Sequence, residues 1–478
     1  MLNFKTCHFL SFWFLLLCWK GSVYGQNFEI SPEINLRNDF AYYILPFGKE
    51  VSVIRDKSYK LTIQNLRPDM SWTVEKDLEL KGRKWRILDT YTHGNDIGIL
   101  YLTKVENKVE IFYSTYDQNG ILKQELVLPV KTVIEYPLEF NLISSDDQKW
   151  VSMSFNDRKN IKWICLFNRF HPEQFLAKPA EELFDSENEN VEKASLGDDG
   201  NFYLLWMNDE HPGFRDKSMI KIQGVDQLGR QILNKEVELK EGFDIYDLDI
   251  NYNNFNKNLY LAGLYKEKNE QYADGYLIQN LSNGEELRMI EFDKEKLKEW
   301  TGKSKKSSVS SLNFAIKKIC FKEDGSSLVF MENSKELSRR PYFNNTLDNS
   351  GIGTMRWVDY YFDDIFVACF SPNGEKQWEN ILRKKQFSQD DDGLYSSFFI
   401  FSNRSFLRIL FNDEIKNEST VSQYLLLPDG RINRKSVLNT SNTKLNLRIT
   451  DAIQIDETTL IVPSENNGKM SLVRLNLL

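Results

Sequence analysis

Short runs of alternating apolar and polar residues fill most of this chain, and each run ends at a cluster of Asn, Asp, Gly, Ser or Pro. Residues 193–207 (KASLGDDGNFYLLWM), 317–331 (KKICFKEDGSSLVFM) and 396–411 (SSFFIFSNRSFLRILF) each hold two such runs around a polar turn. Segments 88–103, 140–155 and 247–265 are built alike. A period of two, rich in aromatic and β-branched residues, predicts strands. A second kind of turn follows each pair: Asp117–Gly120, Asp226–Gly229, Leu281–Gly284, Ser371–Gly374 and Pro428–Gly430, with weaker signals at Pro68-Asp69 and Phe170–Pro172. Gly and Asn tolerate the left-handed backbone that tight turns need, so these read as hairpins.

The hairpins keep a period. Gly284 lies 55 residues after Gly229, and Gly430 lies 56 after Gly374. Gly229 follows Gly120 by 109, about twice that, with the Phe170–Pro172 turn between them. Each period therefore holds four strands, A to D, joined A–B by the polar turn and C–D by the hairpin. Four antiparallel strands per repeat is the signature of a β-propeller. Seven units are complete. The remainder, 447–478, offers three strands, and Asn27–Leu36 offers one more. Joining these two ends predicts an eighth, composite blade that leaves no open sheet edge. Seven blades with an accessory strand is the alternative count.

Composition agrees with a folded all-β chain of 478 residues. Aromatics make up 13% and charged residues 27%, too apolar for a disordered chain. Residues 1–25 read as a secretory signal: Lys5, the apolar run Phe9–Trp19, then small residues at Val23 and Gly25 before Gln26. Cleavage there would leave one propeller domain over 26–478, secreted or periplasmic, with insertions near 293–311 and 332–361. No later run is long and apolar enough for a membrane helix. The net charge is −8, and loss of Lys5 and Lys20 brings it to −10. That balance argues against nucleic acid as a partner, whose binding rests on Lys and Arg meeting phosphates. Three cysteines remain after the signal, Cys165, Cys320 and Cys369, all in apolar runs; they read as buried free thiols and imply no disulfide framework, with a Cys320–Cys369 bridge as the alternative.

The hairpins SPNGEKQW (371–378) and YDQNGIL (116–122) resemble those of bacterial secreted propellers with pyrroloquinoline-quinone-protein-like repeats. The stretches KKQFSQDDDGLYSS (384–397) and ILFNDEIKN (409–417) resemble uncharacterised secreted β-propeller proteins of Bacteroidota. This resemblance implies the fold and little about activity, since one fold hosts many functions. The tryptophan-docking motif of quinoprotein propellers is matched once, at Trp378, and their adjacent cysteine pair is missing, so no cofactor is expected. The Ser-x-Asp-x-Gly-x-x-Trp box of sialidase-like propellers is not reproduced: Asn373 and Glu375 stand at its Asp and Gly positions.

The connections are unequal. A–B and C–D turns, which share one face of the disc, are short. The long segments are B–C loops and D–A connections on the other face: 177–190, 207–217, 293–311, 332–361 and 383–393. The last three flank blade 6 and should converge. Loops on a rigid scaffold carry binding, and Arg, Trp and Tyr are favoured at hot spots. The ligand-binding candidates are therefore Arg339, Arg340, Tyr342, Arg356, Trp357, Tyr360, Tyr361, Lys385 and Gln386. The expected function is non-catalytic binding or scaffolding, with an envelope protein or a glycan as partner. The alternative is a carbohydrate-active enzyme, which needs a carboxylate pair in the central funnel.

Metal ligation has little support. His93, His171 and His211 belong to three different blades, far from the convergence zinc requires. Asp390, Asp391 and Asp392 would gain from a cation, but a solvated acidic loop is the preferred reading, and no metal is expected. Stretch 294–306 (KEKLKEWTGKSKK) predicts a short helix that tucks Leu297 and Trp300 against its blade.

Overall fold

The computed structural model describes residues 28–57, 59–82, 84–106, 108–134, 140–184, 191–207, 219–293, 295–297, 313–339, 357–413, 420–439 and 445–477. The proposed signal and its cleavage point lie outside these residues. Among them the strands form eight antiparallel sheets arranged as a propeller. Blades 1 to 7 run in chain order, beginning with Ala41–Phe47, Glu50–Asp56, Leu61–Leu66 and Lys76–Leu78 for blade 1. Every hairpin anticipated from the sequence joins strands C and D. Gly120, Gly229, Gly284, Gly374 and Gly430 all sit at φ between 71° and 86°, a backbone that other residues adopt at a cost.

Blade 8 is composite, as the unpaired terminal strands require. Its inner three strands are Ile453–Gln454, Thr459–Asn466 and Lys469–Asn476, and the N-terminal Phe28–Ile30 supplies the outer one. Phe28 stands opposite Leu475 and Ile30 opposite Val473. Pro32, which has no N–H to donate, interrupts the segment before Ile34-Asn35 pairs again at Met470 and Lys469. Ser31 bridges the gap: its N–H donates to the Leu472 carbonyl and its Oγ accepts the Leu472 N–H, each at 2.9 Å.

The core lies between blades. Tyr91, Leu100 and Tyr113 of blade 2 pack against Val151, Met153 and Phe167 of blade 3, and similar clusters recur around the ring. The closing seam is sealed in the same way by Ile34, Leu36, Val51 and Val53 against Ile461, Met470 and Leu472. Each blade thus depends on its neighbours, as repeat packing requires. Trp378 shows a second device. Its indole N–H donates to the Pro428 carbonyl of blade 7 at 3.1 Å, and its ring lies against Gly430 so closely that a Cβ there would come within 2.6 Å.

Blade 6 departs from expectation. Segment 332–361, anticipated as a loop, is strand over much of its described length. Ser327–Arg339 and Trp357–Phe370 are the longest strands described, and their ladder continues from Ser334↔Phe362 to Arg339↔Trp357. Gln386–Gln389, expected in the D–A connection, returns as a third strand, with Tyr361 opposite Phe387 and Tyr360 opposite Ser388. The polar run ENSKELS disguised this, because strand formation here comes from cross-strand partners rather than intrinsic propensity. No described helix is long and apolar enough to cross a membrane.

Candidate functional site

Antiparallel blades place all B–C and D–A connections at one end of the disc, and that end carries the features of interest. The extension of blade 6 rises there as a three-stranded ledge. A break in register between Glu332 and Ser334 marks where the blade ends and the ledge begins. Residues directly opposite share a face, so Lys335, Tyr361 and Phe387 form one row and Leu337, Asp359 and Gln389 the next. Tyr361 and Phe387 hold their rings 5.0 Å apart, while Lys335 and Leu337 are exposed. The opposite face is covered in part by the connection, where Gly393 packs against Phe362, while Glu336 and Ser338 on that face stay exposed.

A buried polar network anchors the ledge. Lys384 and Glu332 are wholly enclosed and paired at 2.7 Å. The Lys384 ammonium also donates to the Phe362 carbonyl at 3.0 Å and to Gln386 Oε1 at 2.7 Å. Burial pulls the Lys384 pKa down, and the Glu332 charge opposes that pull. Ser397 Oγ donates to the other Glu332 oxygen at 2.8 Å, and Gln386 Nε2 donates to the Asn412 carbonyl at 2.7 Å. Gln386, singled out as a surface contact, is therefore an interior residue whose amide ties the ledge to blade 7. A strand of period two puts every second side chain inward, and Gln386 is on the inward set.

The other candidates divide. Tyr360 and Tyr361 stand on opposite faces of the ledge, both half-buried, and Lys385 is exposed at its base. Arg339 and Trp357 are paired at the ledge's far end. Arg340, Tyr342 and Arg356 lie outside the described residues. The three acids have separate tasks. Asp390 accepts the Val358 N–H at 2.8 Å, Asp391 accepts the Gly393 N–H at 3.0 Å, and Asp392 accepts the Tyr360 hydroxyl at 3.1 Å. Among the described residues no group of three His, Cys, Asp or Glu side chains gathers as a metal site. Cys320 and Cys369 both stand opposite Leu328, one strand to each side, which keeps the two thiols apart. Leu297 is buried beside Phe292 and Phe314, as anticipated, and Trp300 lies outside the described residues.

The central funnel is lined by the inner strands. In blades 2, 4, 5 and 6 a bulge interrupts the inner strand near the loop-bearing end, at Leu88, Glu192, Tyr246 and Lys317. Bulges re-aim neighbouring side chains, and one consequence is an acid pair on blade 5, Asp247 and Asp249, on the same side of their strand. Burial pushes the Asp249 carboxyl up to about 6, with Lys193 opposing and Asp247 adding to the rise. Both acids also serve the backbone. Asp247 accepts the N–H groups of Ile316 at 2.7 Å and Leu248 at 2.9 Å, and Asp249 accepts that of Ile250 at 3.0 Å.

One feature escaped sequence reading. A cavity of about 610 Å³ opens where blade 8 meets blade 1, lined by Asp39, Phe40, Tyr42, Arg448, Asp451 and Glu465 among others. Arg448 donates to Glu465 at 2.7 Å and to the Tyr42 hydroxyl at 2.8 Å, and it pairs with Asp451 at 2.5 Å. Burial works against the Arg448 charge, but these partners outweigh it and hold its pKa above the usual value. Tyr395, from the connection that follows the ledge, donates to the Glu465 carbonyl at 3.4 Å.

No family model matches the chain, and no curated protein matches it. Similar solved structures include the WD40 domain of coronin from Toxoplasma gondii, at 10% identity and TM-score 0.38 over 95% of this chain and 86% of that one. A dihydro-heme d1 dehydrogenase follows at 12% identity and TM-score 0.41, over 94% and 75%. Prolyl oligopeptidase B from Galerina marginata matches at 9% and TM-score 0.39, over 90% of this chain and 55% of that one. Activities so diverse, at such identities, do not transfer to this chain.

Proposed function

We propose that this chain is a secreted or periplasmic binding propeller that presents the ledge of blade 6 to a glycan or an envelope protein. The ledge carries the reading. A strand pair that outruns its blade, braced by a third strand, stands on an ion pair buried at both ends. Burying such a pair is seldom a gain in stability, so an outer structure that depends on one is better explained by use than by folding. One face offers Leu337 and Lys335, both exposed, beside the half-buried Tyr361 and Phe387, an apolar surface with polar neighbours of the kind that recognition favours.

The test uses protein beginning at Gln26, immobilised and exposed to a glycan array and to envelope extract, beside Lys335→Glu/Leu337→Asp. Both substituted side chains are exposed, so the fold should tolerate the change. A ligand kept by the wild type and lost by the double variant supports the reading. Equal retention overturns the placement on blade 6. A wild type that retains nothing overturns the binding role and returns attention to Asp247 and Asp249 in the funnel.

A further inference from the structure

We infer that the cavity between blades 8 and 1 is a binding site for a neutral saccharide, and that its occupation reinforces closure of the ring. This rests on the reading that the loop-bearing face binds ligands, but it concerns a different set of residues from the ledge.

Charge narrows the ligand from both sides. Arg448 sits between Glu465 and Asp451, so the three groups together carry a net negative charge. Asp39 is already matched by Arg55 at 2.6 Å. A phosphate or carboxylate ligand would meet two carboxylates and a guanidinium that they already hold. A cationic ligand would gain only the one net negative charge, because Arg448 already offsets one of the two carboxylates. An uncharged molecule with many hydroxyl groups meets no like charge here and can use the free carboxylate oxygens.

The hydrogen-bonding inventory agrees. Glu465 uses Oε2 for Arg448 and Tyr42, and Asp451 uses Oδ2 for Arg448. Among the described residues the second oxygen of each carboxylate accepts nothing, which leaves acceptors for hydroxyl donors. Apolar surface completes the site: Leu36, Ile44 and Ile453 line it, and Phe40, 82% exposed, stands at its rim. A pyranose has the matching anatomy, with hydroxyls at its edge and C–H groups on its faces. The volume of about 610 Å³ lies in the range of small-molecule sites.

The location gives the second half of the inference. Leu36, Asp39 and Phe40 belong to the segment that follows the N-terminal closing strand. Their positions are fixed by the Leu36 N–H on the Gly468 carbonyl at 2.8 Å, the Phe40 N–H on the Asp56 carbonyl at 2.7 Å, and the Asp39–Arg55 pair. The site is complete only when the ring is closed. A ligand that needs the closed form must stabilise it by mass action.

The experiment titrates purified protein with neutral mono- and disaccharides (glucose, galactose, mannose and N-acetylglucosamine units) and with glucuronate and sulfated sugars as anionic probes. Wild type, Phe40→Ala, Asp451→Asn and the ledge variant Lys335→Glu/Leu337→Asp are compared. Expected are binding of a neutral sugar, a loss of about tenfold or more in both cavity variants, and no change in the ledge variant. Saturating sugar should also slow amide exchange across residues 28–40. Preference for the anionic sugars, or no neutral sugar bound by folded wild type, overturns the inference. So does neutral binding that survives both cavity substitutions. Neutral binding lost only in the ledge variant overturns it too, while leaving the proposed function standing.

Discussion

Replacing Lys384 by Met tests the argument on which the ledge stands. Lys384 and Glu332 are both fully enclosed, and the ammonium meets three acceptors: Glu332, Gln386 and the Phe362 carbonyl. Methionine keeps most of the apolar stem and deletes the charge. Glu332 would then be left with the Ser397 hydroxyl at 2.8 Å and with Lys317, whose Nζ lies 3.7 Å away. Breaking a buried pair from one side costs about 3–5 kcal/mol. Lys317 offsets part of that loss, which puts Lys384→Met near the lower end, about 3 kcal/mol. The double variant Glu332→Gln/Lys384→Met removes the stranded charge and keeps an acceptor for Ser397, so it should lose only about 1 kcal/mol. Urea unfolding followed by tryptophan fluorescence, with the midpoint and slope fitted for wild type, both singles and the double, gives the coupling directly. A double variant no more stable than Lys384→Met would refute the reasoning. The stem's packing, rather than its charge, would then hold the ledge.

Three further outcomes are expected. Gly430→Ala should destabilise by about 2 kcal/mol or more, since a Cβ at φ 86° would press on the Trp378 ring, whereas Gly284→Ala, at φ 74° with open space around it, should cost only about 1; equal falls in Tm would deny the role of the Trp378 contact. Deleting residues 28–35 should lower Tm and cause self-association, because strand Lys469–Asn476 would become an open edge; light scattering that shows a monomer of unchanged Tm would contradict ring closure by this segment. The third concerns pH. Asp249 has a folded pKa of about 6, above its ordinary value, so the native state holds that proton more tightly than the unfolded chain does. Stability should therefore fall as pH rises from about 4 to about 6, by about 2–3 kcal/mol at about 1.4 per unit. Asp249→Asn should flatten this slope, which thermal melts across that range would reveal.

Much of the architecture was legible because its signals are local. A left-handed glycine at Gly120 or Gly374 and the alternation on either side of it are properties of a few neighbouring residues, and the structure keeps them as hairpins. The ledge was legible only as a location. Its segments do meet around blade 6, but ENSKELS carries too little apolar alternation to announce a strand, and its partner Gln386–Gln389 becomes a strand only by reaching Tyr360 and Tyr361. Gln386 went inward for the same reason: the ladder's register decides which face a side chain takes, and a shift of one residue would reverse it.

The sequence by itself determined the period, the four strands in each repeat, the hairpins between them and the unequal faces of the disc. These follow from side-chain spacing of two and from the few residues that accept a tight turn. Tertiary structure alone decided which strand completed blade 8, that a polar run became a ledge over a buried ion pair, and that Tyr42, Arg448 and Glu465 met around a cavity. Tyr42 and Arg448 are 406 residues apart in the chain. No local pattern encodes such a meeting, because it exists only once the ring has closed and brought its first blade against its last.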